Sequence, residues 1–201
     1  MKKTLFILCL IMASTSLTAQ ILPVENLKLV KPEDRRTFYT QIEGITHIKD
    51  VNGILDKFVG TWKGTFDGKQ LEIVVKKYTR DYSEFVKDFH PEPLLWDQLV
   101  LKHKLTNQNG TVIYSTLDKA DDSADVMYKE AYRKPTVYSF NYQGENHNCG
   151  DNGTVFIFIK SNTQNTQAYF KYLHSGSTSP DCNTYFGAVF PTDGEVLLTK
   201  Q

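Results

Sequence analysis

The stretch Val59-Gly60-Thr61-Trp62-Lys63-Gly64-Thr65-Phe66-Asp67-Gly68-Lys69-Gln70-Leu71-Glu72-Ile73-Val74-Val75-Lys76-Lys77-Tyr78 decides the fold class. Asp67-Gly68 supplies the two central residues of a tight hairpin, because Asp and Gly tolerate the positive φ angles that such a turn requires. On its far side Leu71, Ile73 and Val75 share one face, while Gln70, Glu72 and Lys76 share the other. That period of two belongs to an antiparallel strand with one face buried and one wet. The stretch therefore predicts a strand over Val59 to Phe66 and another over Lys69 to Tyr78.

Working outward, Val51, Ile54, Leu55 and Phe58 fall at helical spacing, which predicts a short helical turn before the first strand. Downstream, Asp81 to His90 breaks the alternation, and a short helix stopped by Pro91 and Pro93 fits there. Leu95 to Thr106 alternates again, with Leu99, Leu101, His103 and Leu105 on one face. Asn107 to Gly110 then turns the chain into Thr111 to Thr116, and further strands fit Pro135–Tyr142, Thr154–Lys160, Gln167–His174 and Glu195–Lys200. Val155 to Ile159 is apolar on both faces and predicts a strand covered on both sides, whereas Lys119 to Lys134 fits strand and helix equally. Regular short strands with Gly, Asn and Asp turns predict an antiparallel barrel or sandwich.

The N-terminus adds a location. Met1-Lys2-Lys3, the apolar run Leu5 to Met12 and the small, polar stretch Ala13 to Ala19 have the three parts of a Sec signal peptide, with cleavage after Ala19 or Gln20. The run is much shorter than the roughly 20 residues that span a bilayer, so no transmembrane segment is expected once residues 1–20 leave. Ile21 to about residue 50 then reads as a leader rich in charges, with Pro23 and Pro32, followed by one domain over residues 51–201. Loss of Lys2 and Lys3 leaves 21 basic against 23 acidic residues, a net charge of −2. No basic stripe remains to neutralise phosphates, so nucleic acid is not an expected partner.

Of three cysteines, Cys9 leaves with the signal, and Cys149 and Cys182 remain. In an oxidising periplasmic or extracellular compartment an even pair most simply forms one disulfide. Its loop of about 30 residues would stabilise the fold by roughly 3 kcal/mol. Two alternatives stay open: free thiols, or a zinc site built from His147, Cys149, His174 and Cys182, although neither Cys-x-x-Cys nor His-x-x-x-His spacing is present.

The segment Phe58 to Gly64, a Gly-x-Trp entering the first strand after a helical turn, resembles the opening of lipocalin-like (calycin) barrels. The resemblance is closest to small secreted lipocalin-like proteins of unknown function from Gram-negative bacteria. In these a leader precedes a Val-Gly-Thr-Trp strand and a Cys-Gly pair precedes a late strand, matched here by Val59–Trp62 and Cys149-Gly150-Asp151-Asn152-Gly153. Three features depart from the wider pattern. Asp67-Gly68 joins the first two strands directly, where fatty-acid-binding barrels insert two helices. The chain ends on the strand-like Val196-Leu197-Leu198 rather than a helix. No arginine is clearly placed to stack on Trp62.

The resemblance implies a mainly β, antiparallel lipocalin-like barrel in which Trp62 closes the base. Leu71, Ile73, Leu99, Leu101 and His103 would face inward to contact a small apolar or amphipathic ligand. The alternative is a barrel filled by its own side chains, acting as a protein–protein interaction or inhibitor module. The residues offer little to an enzyme: no Gly-x-Ser-x-Gly elbow, no phosphate-binding loop and no carboxylate pair at a telling spacing. No cofactor and no metal are expected. His103 reads as a ligand contact, a general base or a core histidine with a local partner, and neither His47 nor His90 has a recognisable partner. Tyr138, Phe140 and Tyr142, like Tyr169, Phe170 and Tyr172, suit a cavity wall, an exposed recognition face or core packing.

Overall fold

The computed structural model describes residues 20–27, 40–123, 126–134, 136–144, 149–176, 179, 182 and 189–201, with the side chains of 128–134 excepted. The signal-peptide reading of residues 1–19 lies outside the described residues.

Alternating sequence gives alternating structure. Among the described residues there are eleven strands: β1 (Ile21–Pro23), β2 (His47–Lys49), β3 (Gly60–Phe66), β4 (Lys69–Asp81), β5 (Leu95–Thr106), β6 (Val112–Ser115), β7 (Met127–Lys134), β8 (Val137–Gln143), β9 (Asn152–Ile159), β10 (Gln167–His174) and β11 (Val196–Lys200). Asp67 and Gly68 both take positive φ, 47° and 70°, and close the β3–β4 hairpin as their residue types require. The expected helical turn over 51–58 is a run of tight turns, with the amides of Asp56, Phe58 and Val59 donating to the carbonyls three residues earlier. The interrupting segment holds the short helix Ser83–Val86.

The strands form one curled, mostly antiparallel sheet, a half-barrel. Pairing runs β5–β4–β3–β11–β10–β9–β8–β7, and two further pairs, Val100 with Tyr128 and Leu101 with Met127, bring β7 back to β5. Each neighbour along that path is also the next strand in sequence apart from β6, and β11 returns to β3 through Thr199–Lys63 and Lys200–Trp62. β6 lies off the path, extending the wall beside the end of β5 through Lys104–Ser115 and Leu105–Tyr114.

Period two puts one set of side chains inside. Trp62, Leu71, Ile73, Val75, Leu99, Leu101, Leu105, Tyr138, Phe140, Tyr142, Val155, Ile157, Phe170, Tyr172, Val196 and Leu198 belong to a single buried cluster. Strand β5 is covered on both faces, because Val100 and Lys102 are buried as well; the Lys102 ammonium reaches Asp121 at 2.5 Å. On strand β9 Phe156 and Phe158 lie on the outer face, half-buried, and stack on each other with centroids 5.9 Å apart.

Parts of the segment read as a leader join the sheet. β1 pairs in parallel with β2, and β2 in parallel with the start of β5. Behind them Val24, Ile42, Ile48, Val86 and Leu94 form a second, smaller core. Both histidines without a sequence-level partner act here. The ring nitrogens of His90 lie 2.7 and 2.8 Å from the carbonyl oxygens of Glu92 and Ile42. His47 Nε2 lies 2.9 Å from Asp97 on β5, whose carboxylate also accepts from the Thr79 hydroxyl at 2.8 Å and the Asp50 amide at 3.0 Å.

Burial alone would raise the Asp97 carboxyl, but these donors outweigh it and hold the group below the usual range. Asp97→Ala should therefore free β1 and β2 from the sheet edge at a cost of about 2 kcal/mol. Amide exchange checks this: protection at Ile48 and Lys49 should fall, while β8 to β10 keep theirs.

Candidate functional site

The interior has two chemically different ends. At the first, Trp62 is fully buried and its indole N–H donates to the Phe58 carbonyl at 2.8 Å, tying β3 to the preceding turns. A cation over the ring comes from the last strand: Lys200 Nζ sits 5.2 Å from the Trp62 ring centroid and donates to the Lys57 carbonyl at 3.4 Å. Gly60 makes room for it, because a Cβ there would lie 2.8 Å from Lys200 Cε, and its φ of 131° excludes a side chain independently. Sequence reading looked for arginine and so passed over Lys200, the penultimate residue.

At the other end the side chains turn polar and aromatic. His103 on β5 is 1 % exposed. Its amide donates to Thr116 Oγ1 at 2.9 Å, and the same oxygen lies 3.4 Å from Nδ1. Nε2 has no hydrogen-bond partner among the described residues, an arrangement that costs about 1–3 kcal/mol for a buried polar atom. Around the ring stand Tyr114, Tyr142 and Phe190, at centroid distances of 5.2, 6.0 and 5.2 Å. The Tyr142 hydroxyl donates to Asp151 at 3.2 Å, and the Tyr172 hydroxyl donates to the Asn152 carbonyl at 2.8 Å. Burial first, and then the Asp151 carboxylate, push ionisation of Tyr142 far up, so it stays a neutral donor.

Beside this end Cys149 and Cys182 are joined in a disulfide, with Cα atoms 5.2 Å apart. The bond uses both sulfurs, which overturns the zinc and free-thiol alternatives; His147 lies outside the described residues. Among the described residues no group of three or more metal-ligating side chains comes together.

Trp62, Leu71, Ile73, Leu99 and Leu101 all enter the main core, and they and His103 are at most 1 % exposed. All six are thus buried, the first five as members of one apolar cluster. Of these six, only His103 combines burial with a polar atom that has no hydrogen-bond partner among the described residues. Sequence reading missed Phe190, Asp151 and Thr116. Nothing in their local pattern marks them, since all three reach His103 and Tyr142 from loops. Tyr142 and Tyr172 were legible through the alternation of β8 and β10.

Two constellations suggest catalysis, and both lack the needed geometry. In the Asp97 cluster the Thr79 hydroxyl donates to the carboxylate, as does His47, so no imidazole is placed to take a proton from a hydroxyl. His103 is sealed from solvent. Outside the barrel a groove of about 590 Å³ runs over β11, β3, β4 and β5, lined by Lys63, Gln70, Glu72, Lys104 and Leu197. Both lysines point at one carboxylate, Glu72, at 3.7 and 3.2 Å.

A family model matches residues 1–199, described as a family of unknown function, DUF6705. The chain belongs to that family. No curated protein and no solved structure matches it. The DUF6705 match spans the signal-like start, the edge strands and the meander up to Thr199 on β11.

Two predictions follow the site's chemistry. Burial lowers the His103 pKa from 6.5 to about 4, so as pH falls the unfolded chain takes the proton first. Stability should be full above pH 6.5 and decline by about 3 kcal/mol as pH drops toward 4. His103→Leu should flatten that part of a denaturant-midpoint profile against pH. Separately, reduction of Cys149–Cys182 should lower stability by roughly 3 kcal/mol, read from the urea midpoint with and without reductant.

Proposed function

We propose that this chain is an exported, non-catalytic, lipocalin-like barrel that takes a small apolar or amphipathic ligand at the interior end away from Trp62. The observation carrying the ligand reading is His103: a sealed imidazole with one nitrogen unpartnered among the described residues, set among aromatic rings at the polar end of a mostly apolar interior. Sites for small molecules have this make-up, mostly apolar walls with a few convergent polar groups. The lipocalin-like reading draws support from the sequence-order meander and from Trp62 held between Lys200 and the Phe58 carbonyl. Export rests on the signal-like residues 1–20, and a disulfide suits that destination. Among the described residues no helix is long and apolar enough to cross a membrane.

A second reading has its own observation. The tight filling around Trp62, Leu71, Ile73, Leu99 and Leu101 suits an interaction module that works through its outside, with the groove by Lys63, Glu72 and Lys104 as the contact face.

Native and denaturing mass spectra of the mature protein, purified from the periplasm, separate the two. A co-purifying small molecule, or a thermal shift with an apolar ligand panel, is the result expected of the first reading. A protein empty across the whole panel, with one stoichiometric protein partner in pull-downs that is lost on Lys63→Glu and Lys104→Glu, would replace it with the second.

A further inference from the structure

Among the described residues, Phe190 is the one ring of the far-end cluster that no strand supplies. The neighbouring aromatic walls come from inner-face positions fixed by ladder pairing: Tyr142 on β8, and Phe170 and Tyr172 on β10. Phe190 comes from the segment just before Pro191 and the start of β11, and takes part in no strand pairing. Yet its ring is only 2 % exposed and stands at the centre of the cluster, 5.1 Å from both Tyr142 and Phe170, 5.2 Å from His103 and 5.5 Å from Tyr172. A barrel whose inner faces sufficed to fill it would need no ring from a loop. Phe190 thus fills, from outside the strand ladders, the space between these walls.

We propose that Phe190 is a built-in plug in a binding site, standing where a small hydroxylated aromatic or similarly flat ligand sits, with the ligand hydroxyl bonded to His103 Nε2. The ring walls set the shape: flat faces meeting Phe190 at interplanar angles of 58° to 71° suit another flat ring. The imidazole sets the polar group. Phe190 brings only carbon to Nε2 and leaves it unpartnered, whereas a hydroxyl both donates and accepts and so serves either tautomer. Exchange is local, because moving Phe190 breaks no pairing between strands. The plug also explains how a filled interior and a binding function coexist: affinity is reduced by the fraction of time the ring stays in place. The proposal rests on the interior-ligand reading above and adds to it the occupant and the ligand's chemistry.

The test uses p-cresol and toluene, which differ by one hydroxyl, titrated by calorimetry into the full mature protein. Phe190→Ala should bind p-cresol about tenfold more tightly than wild type does, since no ring need leave first. It should also prefer p-cresol to toluene by about tenfold, and adding His103→Leu should erase that preference while toluene still binds. Should Phe190→Ala fail to fold, Phe190→Leu carries the same comparisons in a smaller site. Equal p-cresol affinity in wild type and variant would show that Phe190 blocks nothing, and a preference that survives His103→Leu would show that Nε2 is not the partner; either overturns the proposal. The two levels fail separately. A co-purifying ligand indifferent to Phe190 and His103 would sink the plug and leave the interior-ligand reading standing. His103-dependent p-cresol binding, in a protein that carries nothing from the periplasm, would support the plug and count against a resident ligand.

Discussion

A sequence-order meander with an apolar inner face has to bring its first and last strands together, and here, with β1 and β2 lying at the sheet edge, that constraint falls on the meeting of β11 with β3. The ladder is short, Thr199 with Lys63 and Lys200 with Trp62, so side chains supply the rest. Trp62 is the largest fully buried residue and holds the preceding turns through its indole N–H. Lys200 covers the ring and reaches the Lys57 carbonyl, joining the last strand to the segment that enters the first. Without that join the strands between would present Leu71, Ile73, Leu101 and their neighbours to water, at about 1.5–3 kcal/mol per side chain.

The ring closes a second time on the opposite side, and less completely. β5 gives its free edge to three partners in turn: β2 near Leu95, β7 at Val100 and Leu101, and β6 from Lys104 onward. That division accounts for the half-barrel shape and for the chemistry of the far end. Where β6 takes over the wall, Thr116 and Tyr114 come up against His103, and the disulfide and the Phe190 segment complete the surroundings. One end of the interior is closed by strands and a tryptophan; the other is closed by loops.

Most of the sheet was legible because solvent lies on one side of it. Leu71, Ile73 and Val75 announce β4, Leu99 to Leu105 announce β5, and Asp67-Gly68 announces the turn, since each obeys a local rule that the fold satisfies directly. β1 and β2 escaped because three residues carry no period, and β7 escaped because Lys119 to Lys134 fits two periods at once. The candidate site was half legible. Inner-face parity put His103, Tyr142 and Tyr172 inside, but Phe190, Thr116 and Asp151 act through contacts made by loops, which no spacing encodes. Parity marks Trp62, Leu71, Ile73, Leu99 and Leu101 as facing inward, and all five are buried, but it does not tell wall from filling.

The closure of β11 on β3 through Trp62 and Lys200 is the claim on which the barrel, its two ends and every interior reading depend. A double-mutant cycle with Trp62→Leu and Lys200→Met, read as unfolding free energies from urea titrations, tests it most directly. The account predicts a coupling energy of about 0.5–2 kcal/mol between the two positions, with the lysine change costing little once the tryptophan is gone. Effects that add to within about 0.3 kcal/mol would contradict it.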